Sequence, residues 1–454
     1  MRDFIIHGVT NKGYEPVREQ FEKNFRQGIE ENAQLCVYLG EKMVVNLWGE
    51  STKKKVVRNE RTALPYNEDS LAAILSCSKV LTAICVARLV EKGLLNYTDT
   101  VMKHWPEFVN GNPEKELITI ENILRHEAGM HKLSKTLSMA DLLRENIKNN
   151  NSIGCILEKQ ALRFPPAESE TRMQYHAHTY GYLLNEIIRR VDPNGRTIGE
   201  CLREEICIPL NVAAHIGLNY EELPNCSPMC TLAPKQVLYG SFRPKCMGRK
   251  VQCSLKDVFN SLTQISRMKS PSVPQNEALI ARDFHAIFNG AFNSIIKMGE
   301  APGFGAWANA KSLARIAAMM ANGGAIDGVR ILSESTWKAF HEGEEMKPIY
   351  PLRETTNFTQ GGINIFDSVK DKTGRFKHNE LRKGFNGWMA FGGSVMQWHP
   401  EHKIGFAYIP TFLCTEDPGN KKGALLQKAV VECIENIHQD SLLLIENGHA
   451  EMID

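Results

Sequence analysis

No run of about 18 apolar residues, the length a membrane-spanning helix requires, occurs anywhere in the 454 residues. No spanning helix and no membrane partner are expected. A charge imbalance is missing as well: 54 Lys and Arg face 52 Asp and Glu, a formal net charge of +2. Nothing in that balance points to nucleic acid or an anionic surface as partner. The stretch from Met1 to Gly8 has no long apolar core and no Arg/Ser-rich amphipathic pattern, which argues against a secretory or mitochondrial leader. The last four residues match no lipidation or address motif. Internal repeats and low-complexity tracts are absent too.

Cysteine is present, with 12 copies, but the dense framework of a small disulfide-stapled domain is not. Several, such as Cys77 and Cys85, sit in apolar helical contexts. They read as reduced thiols, and a cytoplasmic location is expected. The paired Cys-x-x-Cys spacing of a structural zinc site is also lacking. Cys226, Cys230, Cys246 and Cys253 accompany Arg243, Lys245, Arg249 and Lys250 in a segment read as a surface insertion over 225–280. His126 and His131 frame a Glu-Ala-Gly turn, but no third ligand follows at useful spacing. Helix-end and loop roles are expected for both. Neither a metal nor an organic cofactor is implied.

What is there is ordinary soluble-protein composition, 43% hydrophobic and 23% charged, in a chain long enough for two domains. Val17, Phe21, Phe25 and Ile29 recur every fourth residue and predict an amphipathic helix over 14–30. Two strand-like runs follow, 34–39 and 42–48, joined by a Gly-Glu turn. The middle of the chain, from about Val80 to Met320, reads as mostly helical. Strands return over 391–397 and 403–411 around the turn His399-Pro-Glu-His402, and a helix over 421–437 follows. The pattern predicts an α/β (α+β) fold: an antiparallel sheet flanked by helices and built from both termini, with a mostly helical domain inserted. The expected division is 1–65 plus 325–454 for the sheet domain and 66–324 for the helical one. The tryptophans, among them Trp48, Trp105, Trp307 and Trp398, read as core or cleft-wall residues.

The most informative local feature is Ser76-Cys-Ser-Lys79 at the mouth of an apolar helix, Val80 to Leu95. Residues three apart share a helical face, so the lysine amine can sit beside the serine hydroxyl. A crowded ammonium loses its proton more readily, and a neutral lysine can activate the serine as a nucleophile. Free N–H groups at the helix start favour negative charge developing nearby.

Several segments, taken in order, resemble the serine β-lactamase and penicillin-binding-protein superfamily, on its class C-like esterase and peptidase branch. Ser76-Cys-Ser-Lys-Val-Leu-Thr-Ala83 is similar to that family's nucleophile helix. His104-Trp-Pro-Glu-Phe-Val109 and Ile118 to Met130, Ile-Thr-Ile-Glu-Asn-Ile-Leu-Arg-His-Glu-Ala-Gly-Met, resemble its next loop and helix. Pro165-Pro166 followed by Tyr175-His-Ala-His-Thr-Tyr-Gly181 resembles the segment bearing its catalytic tyrosine. Asn309 to Arg315 and Asn322-Gly-Gly324 resemble its later helix and turn. The resemblance spans roughly residues 8–412 and implies a β-lactamase/transpeptidase-like fold. It further implies Ser76 as nucleophile, Lys79 as its activator and Tyr175 as shared acid–base, its phenol lowered by the neighbouring ammonium.

The pattern departs from the family at two places. The family's Tyr-x-Asn has Ala177 at its third position, a version some esterase-like members share, which argues against a dedicated β-lactamase. Its Lys/His-x-Gly strand motif falls on Trp388-Met389-Ala390, or on Phe385-Asn386-Gly387. Either placement lacks the cation, and Trp388 is expected to fill or roof the pocket. The oxyanion hole, which needs only backbone N–H groups, would use Ser76 and Phe391. Two functions follow as expectations. The first is a serine hydrolase forming an acyl-enzyme on Ser76 with a small ester or amide. The alternative is an impaired member serving as a binding or assembly module. Oligomeric state is left open.

Overall fold

The computed structural model describes residues 3–52, 64–164, 173–231, 297–350, 354–366, 380–413 and 420–450, apart from 29, 134, 136 and 139. The chain opens with strand β1 (Phe4–Thr10), helix α1 (Glu15–Arg26) and the hairpin β2 (Asn32–Leu39) and β3 (Lys42–Ser51). Then come α2 (Ser78–Glu91), the short strand β4 (Met173–Gln174), α3 (Thr179–Val191) and α4 (Ala310–Ala321). Six more strands follow: β5 (Glu345–Tyr350), β6 (Glu354–Phe358), β7 (Asn364–Phe366), β8 (Phe385–Met389), β9 (Val395–His399) and β10 (Ile404–Pro410). Helix α5 (Lys421–Ala450) comes last among the described elements.

One ten-stranded sheet, in the order β1-β3-β2-β10-β9-β8-β7-β6-β5-β4, unites both ends of the chain. Its pairings are antiparallel except for β4 on β5, which is parallel. The two ends meet where β2 pairs with β10, Leu35 opposite Tyr408 and Val37 opposite Phe406. Alternation along a strand sends successive side chains to opposite faces. Leu35, Val37, Phe406 and Tyr408 join one core with Val17, Phe21 and Phe25 of α1 and Leu426 and Val430 of α5. Cys36, Tyr38, Ala407 and Ile409 face the other core, which holds α2, α3 and α4. Helix α4 crosses the sheet at Gly405, where a Cβ would meet Ala318 N at 2.4 Å and Ala314 O at 2.6 Å. Only a glycine permits that backbone approach.

Helix α2 is buried at Ser78 through Ala87 and again at Leu89. Being apolar all round, it is a core helix rather than a surface one. Its start differs from expectation. The α-helix begins at Ser78, after a 3₁₀ turn, Leu75–Cys77, that carries Ser76. The expected strand over 391–397 is likewise broken. Gly392 (φ 93°) and Gly393 (φ 126°) turn the chain between β8 and β9, so 391–394 is the turn. Strand β1 escaped the sequence reading because it is an edge strand whose outward residues Ile5, His7 and Val9 are exposed.

The thiols of Cys36, Cys77, Cys85, Cys155, Cys201, Cys207 and Cys433 carry no disulfide. Of the proposed insertion, Cys246, Cys253 and the basic residues 243–250 lie outside the described residues. Among the described residues no helix is long and apolar enough to cross a membrane, and no cluster of three His, Cys, Asp or Glu could hold a metal.

Candidate active site

Three distant pieces of chain meet at the start of α2. Leu75 enters the 3₁₀ turn at φ 47°, a left-handed conformation that costs a non-glycine residue about 1–3 kcal/mol unless its surroundings enforce it. The enforcement is visible. Ile74 N–H donates to Ala306 O at 3.0 Å. The Ser78 hydroxyl donates to Leu75 O and accepts the Ala306 N–H at 2.9 Å. Leu75 itself is buried. The turn therefore presents Ser76, which is half-buried, in one fixed orientation.

Ser76 Oγ lies 2.8 Å from the Tyr175 hydroxyl. The tyrosine is anchored from both sides of its chain. Tyr175 N–H donates to Tyr350 O at 2.8 Å and Gln174 N–H to His126 O at 2.9 Å. His176, next to it, accepts the Met130 N–H on Nε2 at 3.2 Å, and its Nδ1 lies 2.6 Å from Gln174 O. That network assigns the proton to Nδ1, which donates to the carbonyl. His176 N–H in turn donates to Nδ1 of His126 at 3.2 Å. Burial pushes the His176 imidazole down to about 3 and His126 well below its ordinary value. Both are therefore neutral clamps rather than charges. The sequence predicts a helix-end or loop role for His126 and understates how directly the two imidazoles hold the segment bearing the tyrosine. The adjacency of His176 to Tyr175 was the available signal.

Lys79 is fully buried. Its amine donates to Gly303 O at 2.6 Å and to Ala177 O at 3.1 Å. It stands 4.9 Å from the Tyr175 ring centroid and 5.9 Å from that of Trp388. Burial, with no carboxylate partner among the described residues, disfavours the charged form and takes the amine down from 10.5 to about 7. The expected direct pairing of Lys79 with Ser76 is not formed. Among the described residues the lysine bonds to the two carbonyls and the serine to the phenol. Tyr175 also departs from expectation, its phenol being raised, not lowered, because burial outweighs the bond from Ser76 and the contribution of Trp388. Ala177 enters through its carbonyl rather than through a side chain.

The opposite wall is β8 and the turn after it. Trp388 is buried and stacks on Tyr175, ring planes 20° apart and centroids at 6.3 Å. It also packs against Phe358 at 5.3 Å and edge-on to His126 at 5.8 Å. The indole thus lines this wall and leans on the tyrosine. Phe391 lies half-buried in the β8–β9 turn, where Ala390 N–H donates to Ser394 O at 2.7 Å.

A serine set on a fixed turn, a lysine with no carboxylate partner among the described residues and a tyrosine bound to the serine can together move one proton away from a hydroxyl. The family model described as Beta-lactamase matches residues 21–430. The chain belongs to the beta-lactamase family. Within that family it is 26% identical over 386 residues to "Esterase/beta-lactamase LipL" of Mycobacterium tuberculosis, a match covering 83% of this chain and 76% of the relative. Among solved structures, a penicillin-binding-protein homologue from Caulobacter crescentus superposes with TM-score 0.71 at 25% identity. It covers 94% of this chain and 100% of its own. EstA from Arthrobacter nitroguajacolicus Rue61a shares the fold, with TM-score 0.70, 22% identity and coverage of 95% and 99%. The resemblance seen in the sequence is thereby established at the level of family and fold.

Proposed function

We propose that this chain is a serine hydrolase that takes the acyl group of a small ester or amide onto Ser76 and passes it to water. The observation that carries the reading is the 2.8 Å bond between Ser76 and Tyr175 beside the buried Lys79, whose amine burial pushes down to about 7. A base is most effective when its pKa lies near the working pH. Lys79 meets that condition and the raised phenol does not. On this reading Oγ attacks the substrate carbonyl and its proton leaves by way of Tyr175, the positive charge coming to rest on Lys79. The same proton then goes to the departing alcohol or amine. Backbone N–H groups of Ser76 and Phe391 would face the oxygen that becomes negative. Ala177 in place of an amide supports the choice of ester over β-lactam.

The test is covalent labelling. A fluorophosphonate should modify the wild-type chain once, and peptide mapping should place the adduct on Ser76, alongside turnover of a p-nitrophenyl ester. Failure of both labelling and turnover sinks the hydrolase and leaves a binding module, a role that Trp388 filling the cation's place would suit.

Two further outcomes follow. Tyr175→Phe keeps the ring stack on Trp388 and removes the proton path, so kcat should fall about 10²–10³-fold with KM nearly unchanged. Gly181→Ala acts at a distance. Its Cβ would lie 2.2 Å from Gly303 N and 2.7 Å from Pro302 C, so backbone must move, and the Gly303 carbonyl that holds Lys79 moves with it. A displacement of about 1 Å at a reacting group costs about 10² in rate, and steady-state assays with thermal melts will register both the rate and stability losses.

A further inference from the structure

Ser76 faces the cleft, and the residue after it faces the opposite way. Cys77 is fully buried. Its Sγ lies 3.5 Å from Ser394 O and 3.7 Å from Trp388 O, while the N–H groups of Met396 and Ala390 also face it. The thiol is therefore seated in the end of the β8–β9 ladder, where the two strands open into the Ala390–Ser394 turn. Those contacts reach 311 and 317 residues along the chain from the nucleophile turn. Within the turn, Ser394 O already accepts from Ala390 N–H at 2.7 Å and from Asn420 Nδ2 at 3.4 Å. Asn420 also donates to Gly393 O at 2.7 Å. The far side of the turn is thus tied to the start of α5, and its near side meets one side chain of the nucleophile turn.

Chemistry explains why a thiol fits there. The site offers carbonyls and N–H groups together, and a thiol is a weak donor and a weak acceptor. It fills the volume of a small hydrophobe without competing strongly for the ladder's own bonds. Alanine would leave a gap, and valine would fill the space with nothing to offer the carbonyls. Burial holds the thiol protonated, pushed up to about 12, so Cys77 is no rival nucleophile to Ser76.

We propose that Cys77 is a positioning residue that fixes the separation between Ser76 and the strand wall bearing Trp388 and the Ala390–Ser394 turn. The gap it sets is the one a tetrahedral intermediate must fit. This rests on the hydrolase reading above, in which that intermediate forms on Ser76. A residue of this kind affects the transition state more than the ground state, since a bound substrate tolerates a loose wall and the oxyanion does not.

The experiment uses the full chain with Cys77→Ala, Cys77→Val and Cys77→Ser. Three quantities are read: kcat and KM for a p-nitrophenyl ester, the inhibition constant of an arylboronic acid, which forms a tetrahedral adduct on the serine, and the melting temperature. For Cys77→Ala and Cys77→Val the expected result is a fall in kcat of about tenfold or more, with the boronate weakened by a similar factor and KM within about twofold. Cys77→Ser should recover most of both. If Cys77→Ala does not fold, Cys77→Val and Cys77→Ser carry the comparison. Folded variants whose kcat and boronate affinity stay within about twofold of wild type overturn the proposal, whatever their melting temperatures. So does a fall in kcat with no matching loss of boronate affinity. A wild type that neither turns over ester nor binds boronate overturns the hydrolase reading itself, and this proposal with it. That outcome is recognisable because it appears before any Cys77 substitution.

Discussion

Ser76→Ala should reduce kcat/KM for a p-nitrophenyl ester by about 10⁶-fold, the scale on which a hydrolase loses its nucleophile, while leaving the protein folded. The rate prediction follows from position. Ser76 Oγ is the hydroxyl that the 3₁₀ turn presents to the cleft and that Tyr175 holds at 2.8 Å. The stability prediction follows from what the turn depends on. Leu75, Ser78 and Ala306 fix it through backbone and through the Ser78 hydroxyl, and the Ser76 side chain contributes one hydrogen bond at the cleft surface. Its loss should change stability by about 1 kcal/mol, too little to unfold the chain. A chemical-denaturation curve alongside the kinetic assay separates the two effects. Retention of more than about 1% of wild-type turnover would exclude Ser76 as nucleophile, because no residual route approaches that level once a covalent step is gone.

The second large effect is expected at Lys79. Lys79→Met should lower kcat/KM by about 10³–10⁴-fold, and Lys79→Arg should fail equally, since a guanidinium keeps its charge and cannot accept the proton. The same proposal fixes the wild-type pH profile. If the neutral amine is the working form, kcat/KM should rise with pH through an apparent pKa of about 7 and level off above it. The same shift carries a stability consequence with a definite sign. Between about 7 and 10.5 the unfolded lysine holds a proton that the folded one has released. The unfolded state then binds more protons, and stability increases with pH across that window. Denaturation at pH 7 and pH 9 should show this slope in wild type and a smaller one in Lys79→Met. A wild-type profile flat from pH 6 to 9 would mean that a different group serves as base (window set by the shift to about 7).

Much of the candidate site was legible because family order is a one-dimensional property. Ser76, Lys79 and Tyr175 follow one another in segments whose neighbours also fit, and the structure brings all three to one place. The fold was legible where local signals are strong: Val17, Phe21 and Phe25 line the buried face of α1, and the β2–β3 hairpin stands where two strand-like runs flank a Gly-Glu turn. It was misread where the cue is weak. Strand β1 shows half its residues to solvent at a sheet edge. The pair Gly392-Gly393 ends one strand and starts another, although apolar neighbours suggest a single run.

What the sequence could not reveal is what each site residue touches. Lys79 is held by the Gly303 carbonyl, 224 residues away, and a carbonyl has no signature in a sequence. His126 reads as a helix-end or loop residue, and only the folded chain shows its imidazole and that of His176 gripping the backbone beside Tyr175. Cys77 looked like any buried cysteine of an apolar helix.

By itself the sequence determined the family and pointed to Ser76, Lys79 and Tyr175, in that order, as the candidate site. The tertiary structure alone decided the protonation of that set: a lysine near neutrality, a phenol held protonated and two neutral histidines. The reason is physical. A residue type fixes which proton can move, but the energy of moving it depends on how much water and which charges surround the group. Here those surroundings come from segments hundreds of residues apart, meeting only in the folded chain.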